Sequence, residues 1–565
     1  WSSRLGAFVA VAETTRSRTR RASGVSNALL TGVLGTCVAG GQALAMDAST
    51  LPAGGSVTAG QATIATAGSV MNVNQSSQRA AINWQGFSIG SGATVNFVQP
   101  NASAVVLNRV VGSEQSIISG ALNANGQVFL LNANGVLFTQ GARINTGGLV
   151  ASTLNLGDAD FMAGNYSFDA NGSHASVINL GIITTMDGGY VALLGNQVRN
   201  EGVITARLGT AVLAAGDKVS LNFNGNSLVG VSITEGTLNA LVENKEAVIA
   251  DGGLVVLTAK GLDSVMATVV NNAGEVRART IGEKAGKIYL LGGMGNDSIE
   301  VGGTLDASAP DSGDGGFIET SAARVDFADG MQITTAAATG KTGNWLIDPY
   351  DYIIDAPAAA NIVSALATTN VGVTTPSNNA SYGSNGNNAS AGNITVNSAI
   401  TSSSNNGLTL TADGGIAVYA PISVGALTLT GPTGITLGAN LSTLTDMTLN
   451  GDVTLTSDVT LTSGLSQTYT YLASVQTFTV PTGVTSLTAT LLGGAGGQGG
   501  NDGGHVGGDT GAAGSLVATF NVTTGQVLYL AVGKSGADGA DSVTNAGGGA
   551  GGTNAFGFAS GGTGG

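Results

Sequence analysis

His174 and His505 are the two histidines of this chain, and neither has neighbours suited to a metal site or a Ser–His–Asp relay. Gly340-Lys341-Thr342 has the tail of a phosphate-binding loop. The glycine that motif needs five residues earlier is Thr335, and no strand–helix–strand unit surrounds it. Gly292-Gly293-Met294-Gly295-Asn296-Asp297-Ser298-Ile299-Glu300 fits one copy of a calcium-binding nonapeptide, whose ions are shared between turns of successive repeats. No second copy follows, so a glycine-rich corner is expected instead. Glu243, Lys245 and Glu246 read as a solvated loop. Acids and bases clustered for polysaccharide cleavage are not visible, although a coiled fold could bring distant ones together. The expectation is a chain without enzyme activity, bound metal or cofactor.

The elements that would carry any site are β-rich. The chain has 565 residues, of which 90 are Gly and 10% are charged. Val, Ile and Leu recur throughout, which argues against disorder, and the abundance of β-branched residues points to an all-β protein. The balance is acidic, with 20 basic and 35 acidic residues, and such a surface repels nucleic acid. Cys37 is the single cysteine, so a disulfide scaffold and a thiolate zinc site are both excluded. No apolar run after the first 45 residues is long enough to span a bilayer as a helix.

Residues 1–45 read as an extended signal peptide. A basic cluster from Arg16 to Arg21 precedes an uncharged small and apolar run from Val25 to Gly41. Ala43-Leu44-Ala45 then supplies a small-residue cleavage signal, with cleavage expected before Met46. An N-terminal anchor and a lipoprotein site at Cys37 are the alternatives. The absence of an initiator Met leads us to expect that the true start lies upstream.

A coarse period begins near Asn179. Asn179-Leu180-Gly181-Ile182-Ile183-Thr184 is echoed by Asn200-Glu201-Gly202-Val203-Ile204-Thr205. Asp187-Gly188-Gly189-Tyr190 is echoed by Asp251-Gly252-Gly253-Leu254 and again by Asp314-Gly315-Gly316-Phe317, in steps near three units of 21 residues. Short β-branched runs between Asn, Asp and Gly corners at that period indicate a right-handed parallel β-helix of three strands per coil. A set of β-sandwiches is the competing fold. Leu408-Thr409-Leu410-Thr411 and Leu427-Thr428-Leu429-Thr430 alternate as half-buried strands do.

The densest motifs lie between Ala80 and Thr153. They include Trp84-Gln85-Gly86-Phe87, then Gln99-Pro100-Asn101, Asn108-Arg109 and Asn132-Ala133-Asn134-Gly135-Val136. In that order they resemble the N-terminal secretion domain of two-partner-secretion exoproteins, the filamentous haemagglutinin and high-molecular-weight adhesin family. Arg4 to Glu13 resembles the extended signal region of large Gram-negative exoproteins, and Trp345-Leu346-Ile347-Asp348-Pro349 is a further element of this family. The resemblance implies that Gln99, Pro100, Asn101, Asn108, Arg109 and Asn132–Val136 serve secretion. Ala133 stands where the family usually has Pro, and Val136 where it usually has Ile. From the residues alone, Asn134-Gly135 is a tight-turn signal, so a purely structural corner is an equal reading.

The expected organisation is a signal at 1–45, a secretion domain with an N-terminal cap at 46–175 and β-helix repeats at 176–345. A loose polar loop from Pro357 to Gly392 and a less regular solenoid are expected within 346–465. A glycine-rich module fills 466–565, either folded with extended glycine strands or a flexible linker. The resemblance further implies a partner barrel in the outer membrane, a destination at the cell surface or outside, and adhesion to an unknown host glycan or protein receptor. A β-helix enzyme acting on polysaccharide, or the delivery rod of a toxin or haemolysin, are the alternatives.

Overall fold

The computed structural model describes residues 46–539, apart from residue 171, residues 263–267, most of 376–391 and short stretches between 465 and 533. Ala43, Ala45 and Cys37 lie outside the described residues, and Met46 begins them. The chain winds as a parallel β-helix with three walls.

The first wall stacks Thr94–Val98, Ala121–Ala124, the start of Arg143–Ser152, the start of Ile182–Gly195, Val203–Thr205, Ala247–Ile249, Glu275–Arg277, Thr304–Asp306 and Gln332–Thr334. The second wall begins with Arg79–Trp84, Val105–Val110 and Gln127–Leu131. It continues through the ends of Arg143–Ser152 and Ile182–Gly195, then Thr210–Ala215, Leu254–Ala259, Lys287–Leu291, Phe317–Ser321 and Asn344–Asp348. Asn370–Thr375, Gly407–Ala412, Ala426–Thr430 and Met447–Asn450 extend it. The third wall runs from Ser116–Ile118 to Arg324–Phe327.

Register explains the echoes. Tyr190 pairs with Thr210 and Thr210 with Leu254, so the Asp187-to-Asp251 echo spans two coils rather than three. The second echo, through Lys287 to Phe317, also spans two. The extra length sits in excursions, the largest being the antiparallel hairpin of Lys218–Asn224 and Ser227–Glu235. The stacking also crosses residue 175 without a break, since Val136 pairs with Val177 and Arg143 with Ile182.

Inward side chains form one continuous core of ladders such as Val106, Val128, Leu149, Val191, Ala211 and Val255. One ladder is polar. Asn179, Asn200, Asn244 and Asn272 are buried in successive coils, and each of the first three shares a 2.8 Å amide bond with the next. The amides of Asn179, Asn200 and Asn272 also reach the carbonyl two residues on, as Asn200 Nδ2 does to Gly202 at 2.9 Å, and Asn244 Nδ2 reaches the Glu275 carbonyl. Stacked amides thereby satisfy the corner backbone that a buried turn would leave unpaired.

The hairpin, the helix Asp158–Ala163 and the strand Ser167–Asp169 cover the outer face of the second wall. Phe129, Phe161, Phe168, Leu107 and Val212 form this second core. The N-terminal end is closed by antiparallel strands, with Ala62–Ala67 on Val70–Gln75 and Ser56–Ala59 on Arg79–Trp84.

The loop expected from Pro357 is not one over its first part. Ala356–Leu366 is an α-helix and Asn370–Thr375 a strand. Asp355 caps the helix by accepting from the Ala358 amide at 3.1 Å, Pro357 sits in the first turn, and the alanines that follow are strong helix formers. After Ile394 the coils step evenly, Ile394 pairing with Ile416, Ile416 with Ile435 and Ile435 with Val453. In the glycine-rich tail, Gln476–Thr479 pairs with Val527–Leu530 and Ser486–Leu492 with Ser515–Asn521, both antiparallel. Among the described residues no helix is long and apolar enough to cross a membrane.

Candidate functional site

Asn132–Val136 forms the corner between the second and third walls. The Gly135 amide donates to the Asn132 carbonyl at 3.0 Å, closing a tight turn with exposed Ala133 and Asn134 at its tip. Gly135 has φ +110°, which an L side chain rarely adopts, and this accounts for Gly at that position. Asn132 is buried and fully engaged. Its Nδ2 donates to the Glu114 carbonyl and to Ser116 Oγ, both at 2.9 Å, and its Oδ1 accepts from the Asn134 amide at 2.9 Å. Asn134 Nδ2 donates to the Gly112 carbonyl at 2.9 Å, and Ser173 Oγ donates to the Ala133 carbonyl at 2.7 Å. Val136 then enters the third wall with no exposure.

The other motif residues divide by face. Asn108 points inward, where its Oδ1 accepts from Trp84 Nε1 at 3.0 Å. Arg109 points outward and pairs with Asp158 at 2.6 Å beneath the covering helix. It also donates to Asn83 and Asn155 and to the Leu156 carbonyl. Arg109 is the register partner of Leu131, so Asn108–Arg109 and Asn132–Val136 meet in adjacent coils. Gln99, Pro100 and Asn101 do not join them. They turn the chain at the opposite end of the second-wall strand, between the first and second walls.

That second corner holds a buried amide stack. Gln99 Nε2 donates to Gln75 Oε1 at 3.0 Å and to the Ala104 carbonyl at 3.0 Å, while Tyr190 donates its hydroxyl to Gln127 Oε1 at 2.8 Å. Burial pushes the Tyr190 phenol well above its ordinary range. Gln75, Gln127 and Tyr190 carry no signal in their immediate sequence. Their link is a coil-to-coil register, visible once the three walls are aligned.

Several charged groups outside these corners are paired. Glu243 lies on a strand rather than in a loop, 2.7 Å from Arg199 and 3.1 Å from Lys245. Asp297, in the nonapeptide-like segment, accepts from the amides of Gly261 and Gly293 at 2.9 Å. Among the described residues no group of three or more His, Cys, Asp or Glu side chains is placed to hold a metal ion. Glu319 stands apart: burial, with the nearby Asp348 carboxylate second, pushes its carboxyl up to about 7.

Residues 48–307 match the family model of the TPS, or two-partner-secretion, secretion domain. This chain carries a TPS secretion domain. Two heme/hemopexin-binding proteins of Haemophilus influenzae are similar to it, at 33% identity over 249 residues and 31% over 254. Those matches cover 42% and 41% of this chain. The chain spans about a quarter of the length of these relatives, 27% and 26%. Among solved structures, the HMW1 secretion domain from Haemophilus influenzae aligns over 73% of this chain and all of its own, at 24% identity and TM-score 0.49. A filamentous hemagglutinin secretion domain aligns over 74% of this chain and 97% of its own, at 12% identity and TM-score 0.27. The TPS secretion domain thus contains every motif residue named above from Gln99 to Val136.

Proposed function

We propose that this protein is a secreted or surface-exposed adhesin-like exoprotein, exported across the outer membrane by a barrel partner that engages its TPS secretion domain. The match of residues 48–307 to that domain carries the reading. The folded geometry supports a particular order of events. Asn132 is buried in the folded corner, so a partner can contact its side chain only before the chain has coiled. Asn132–Val136, Asn108–Arg109 and Gln99–Asn101 are therefore read as an extended segment in the periplasm, and become corners and strands outside the cell. Each new coil adds a parallel ladder and buries apolar side chains on the coil before it. That free energy biases movement outward without nucleotide hydrolysis.

The outward activity is adhesion to a host glycan or protein, carried by the solenoid rather than by an enzyme site. The curated relatives are named for binding rather than for catalysis. A β-helix enzyme acting on polysaccharide is the alternative. The deciding experiment expresses the chain in a Gram-negative host with and without the cognate barrel, alongside a deletion of residues 46–175. Appearance outside the cell that needs both the barrel and residues 46–175 supports the proposal. Secretion of the deletion, or secretion without the barrel, overturns it.

A further inference from the structure

The outer face of the second wall changes character along its length. Up to Ala259 it is apolar and covered by the hairpin and the helix Asp158–Ala163. From the edge of that cover, where Tyr289 still packs against it, successive coils present Tyr289, Glu319, Leu346, Gly372, Thr409 and Thr428 in register. Next to this row runs a second one of Phe317, Asn344, Asn370 and Gly407. Where the two glycines fall, the wall has a notch of about 330 Å³, with Phe317 and Leu346 on one side and Thr409 on the other.

The fold does not require those glycines. Elsewhere in the walls a Cβ would collide with backbone: at Gly209 it would lie 1.8 Å from the Gly189 carbonyl oxygen, and at Gly343 2.0 Å from that of Gly316. At Gly372 the nearest atom would be Leu346 Cδ1 at 3.6 Å, and at Gly407 Ala426 Cβ at 3.6 Å, both ordinary contacts. Neither residue has positive φ. A glycine inside a strand is destabilising relative to alanine, and one that the surrounding packing does not demand points to close approach of another group to the backbone.

We propose that the notch over Gly372 and Gly407 binds a pyranose ring of an uncharged glycan chain lying along the coil axis. The lining is what such a ring needs. Phe317, whose ring centroid lies 5.9 Å from that of Tyr289, offers an aromatic surface to the C–H face of the sugar. Exposed Asn344 and the Thr409 hydroxyl offer donors and acceptors to its hydroxyl rim. The volume is at the small end for ligand sites, fitting one ring rather than a folded peptide. The Thr409, Thr428 and Thr448 column continues away from the notch in register, a polar track for further rings. No charged side chain lines the notch, and Glu319 and Lys287 stand only in register beside Leu346 and Phe317, so the lining holds no cation for sulfate or carboxylate groups.

This deepens the adhesin reading and rests on it for biological meaning, but the binding test is independent of export. The purified full chain is titrated with neutral hexasaccharides of glucose, mannose, galactose and N-acetylglucosamine, and with a heparin hexasaccharide. Gly372→Thr, which extends the threonine column into the notch, and Phe317→Ser, which removes the ring, are measured beside it, with thermal unfolding of each. The expected result is binding of at least one neutral hexamer in preference to heparin. Gly372→Thr should weaken it at least tenfold while unfolding at or above the wild-type temperature, and Phe317→Ser should also weaken it. Preference for heparin, no binding of any neutral hexamer, or unchanged binding by a folded Gly372→Thr overturns the site. Loss of the site with normal barrel-dependent secretion leaves the export proposal standing.

Discussion

Asn134 donates its side-chain amide to the carbonyl oxygen of Gly112 at 2.9 Å, bolting the tip of one coil's corner to the coil before it. Asn132, two residues earlier, does the same from inside through Glu114 and Ser116. The two asparagines differ in cost when lost. Asn132→Ala removes a buried side chain and leaves the Asn134 amide without its acceptor. We expect a loss of about 1–3 kcal/mol in denaturant unfolding, against under about 1 kcal/mol for the exposed Asn134→Ala.

Ala133 occupies the second position of that turn, whose hydrogen bond runs from the Gly135 amide to the Asn132 carbonyl and does not use the Ala133 amide. Proline fits such a position and narrows the unfolded ensemble. Ala133→Pro should stabilise the chain by about 0.4–1 kcal/mol in urea or guanidinium unfolding. A destabilised variant would mean that this turn differs from the one described.

Asn200 is the middle of the buried amide ladder, giving one bond to Asn244 and accepting one from Asn179, each at 2.8 Å. Asn200→Leu should cost about 2–4 kcal/mol, because Asn179 Nδ2 and the Gly202 carbonyl both lose a partner in a dry interior. Hydrogen exchange at the corners beginning at Asn179 and Asn244 should accelerate with it.

Glu319 gives the second wall a pH dependence. Its folded pKa, about 7, lies above the ordinary carboxyl value of 4.5. The folded state therefore binds this proton more tightly than the unfolded one. The contribution is complete below about 4.5 and is lost as pH rises through about 7. Glu319→Gln should flatten the decline in unfolding temperature between pH 5 and pH 8. An unaltered slope would assign the decline to other groups.

Tyr190 hydrogen-bonds Gln127 across two coils, and its phenol is fully buried. Tyr190→Phe should cost about 1 kcal/mol, and ultraviolet titration should show this phenol resisting ionisation well above the ordinary phenol range.

The coil corners were legible because their residues are local. Asn179 and Asn200 repeat one short pattern, and Asn134-Gly135 names its turn. The covering layer was not read, yet its signal was present. Gln127–Leu131 and Thr210–Ala215 are nearly continuous apolar runs, as strands buried on both faces are, whereas Gly407–Ala412 alternates. The helix Ala356–Leu366 reads as loop because Ala, Ser and Asn suit one by composition and Pro357 starts a loop as readily as a first helical turn; its distinguishing signal is the capping Asp355. The coil count between echoes failed because the hairpin after Gly216 lengthens a turn without changing what stacks on it. Gln99 and Arg109 could be named but not placed, since the side of the wall each faces depends on register with a strand more than twenty residues away.

The helix Ala356–Leu366 has a mechanical consequence. It packs between the first-wall strand Gln332–Thr334 and the strand Ile400–Thr401, in the place a strand would hold. On the third wall, Arg324–Phe327 and Tyr352–Ile354 belong to separate ladders. Only the second wall, through Phe317–Ser321, Asn344–Asp348 and Asn370–Thr375, carries an unbroken described ladder past this level. Tension along the coil axis meets one hydrogen-bonded ladder there instead of three, so this level should yield before the coils on either side of it.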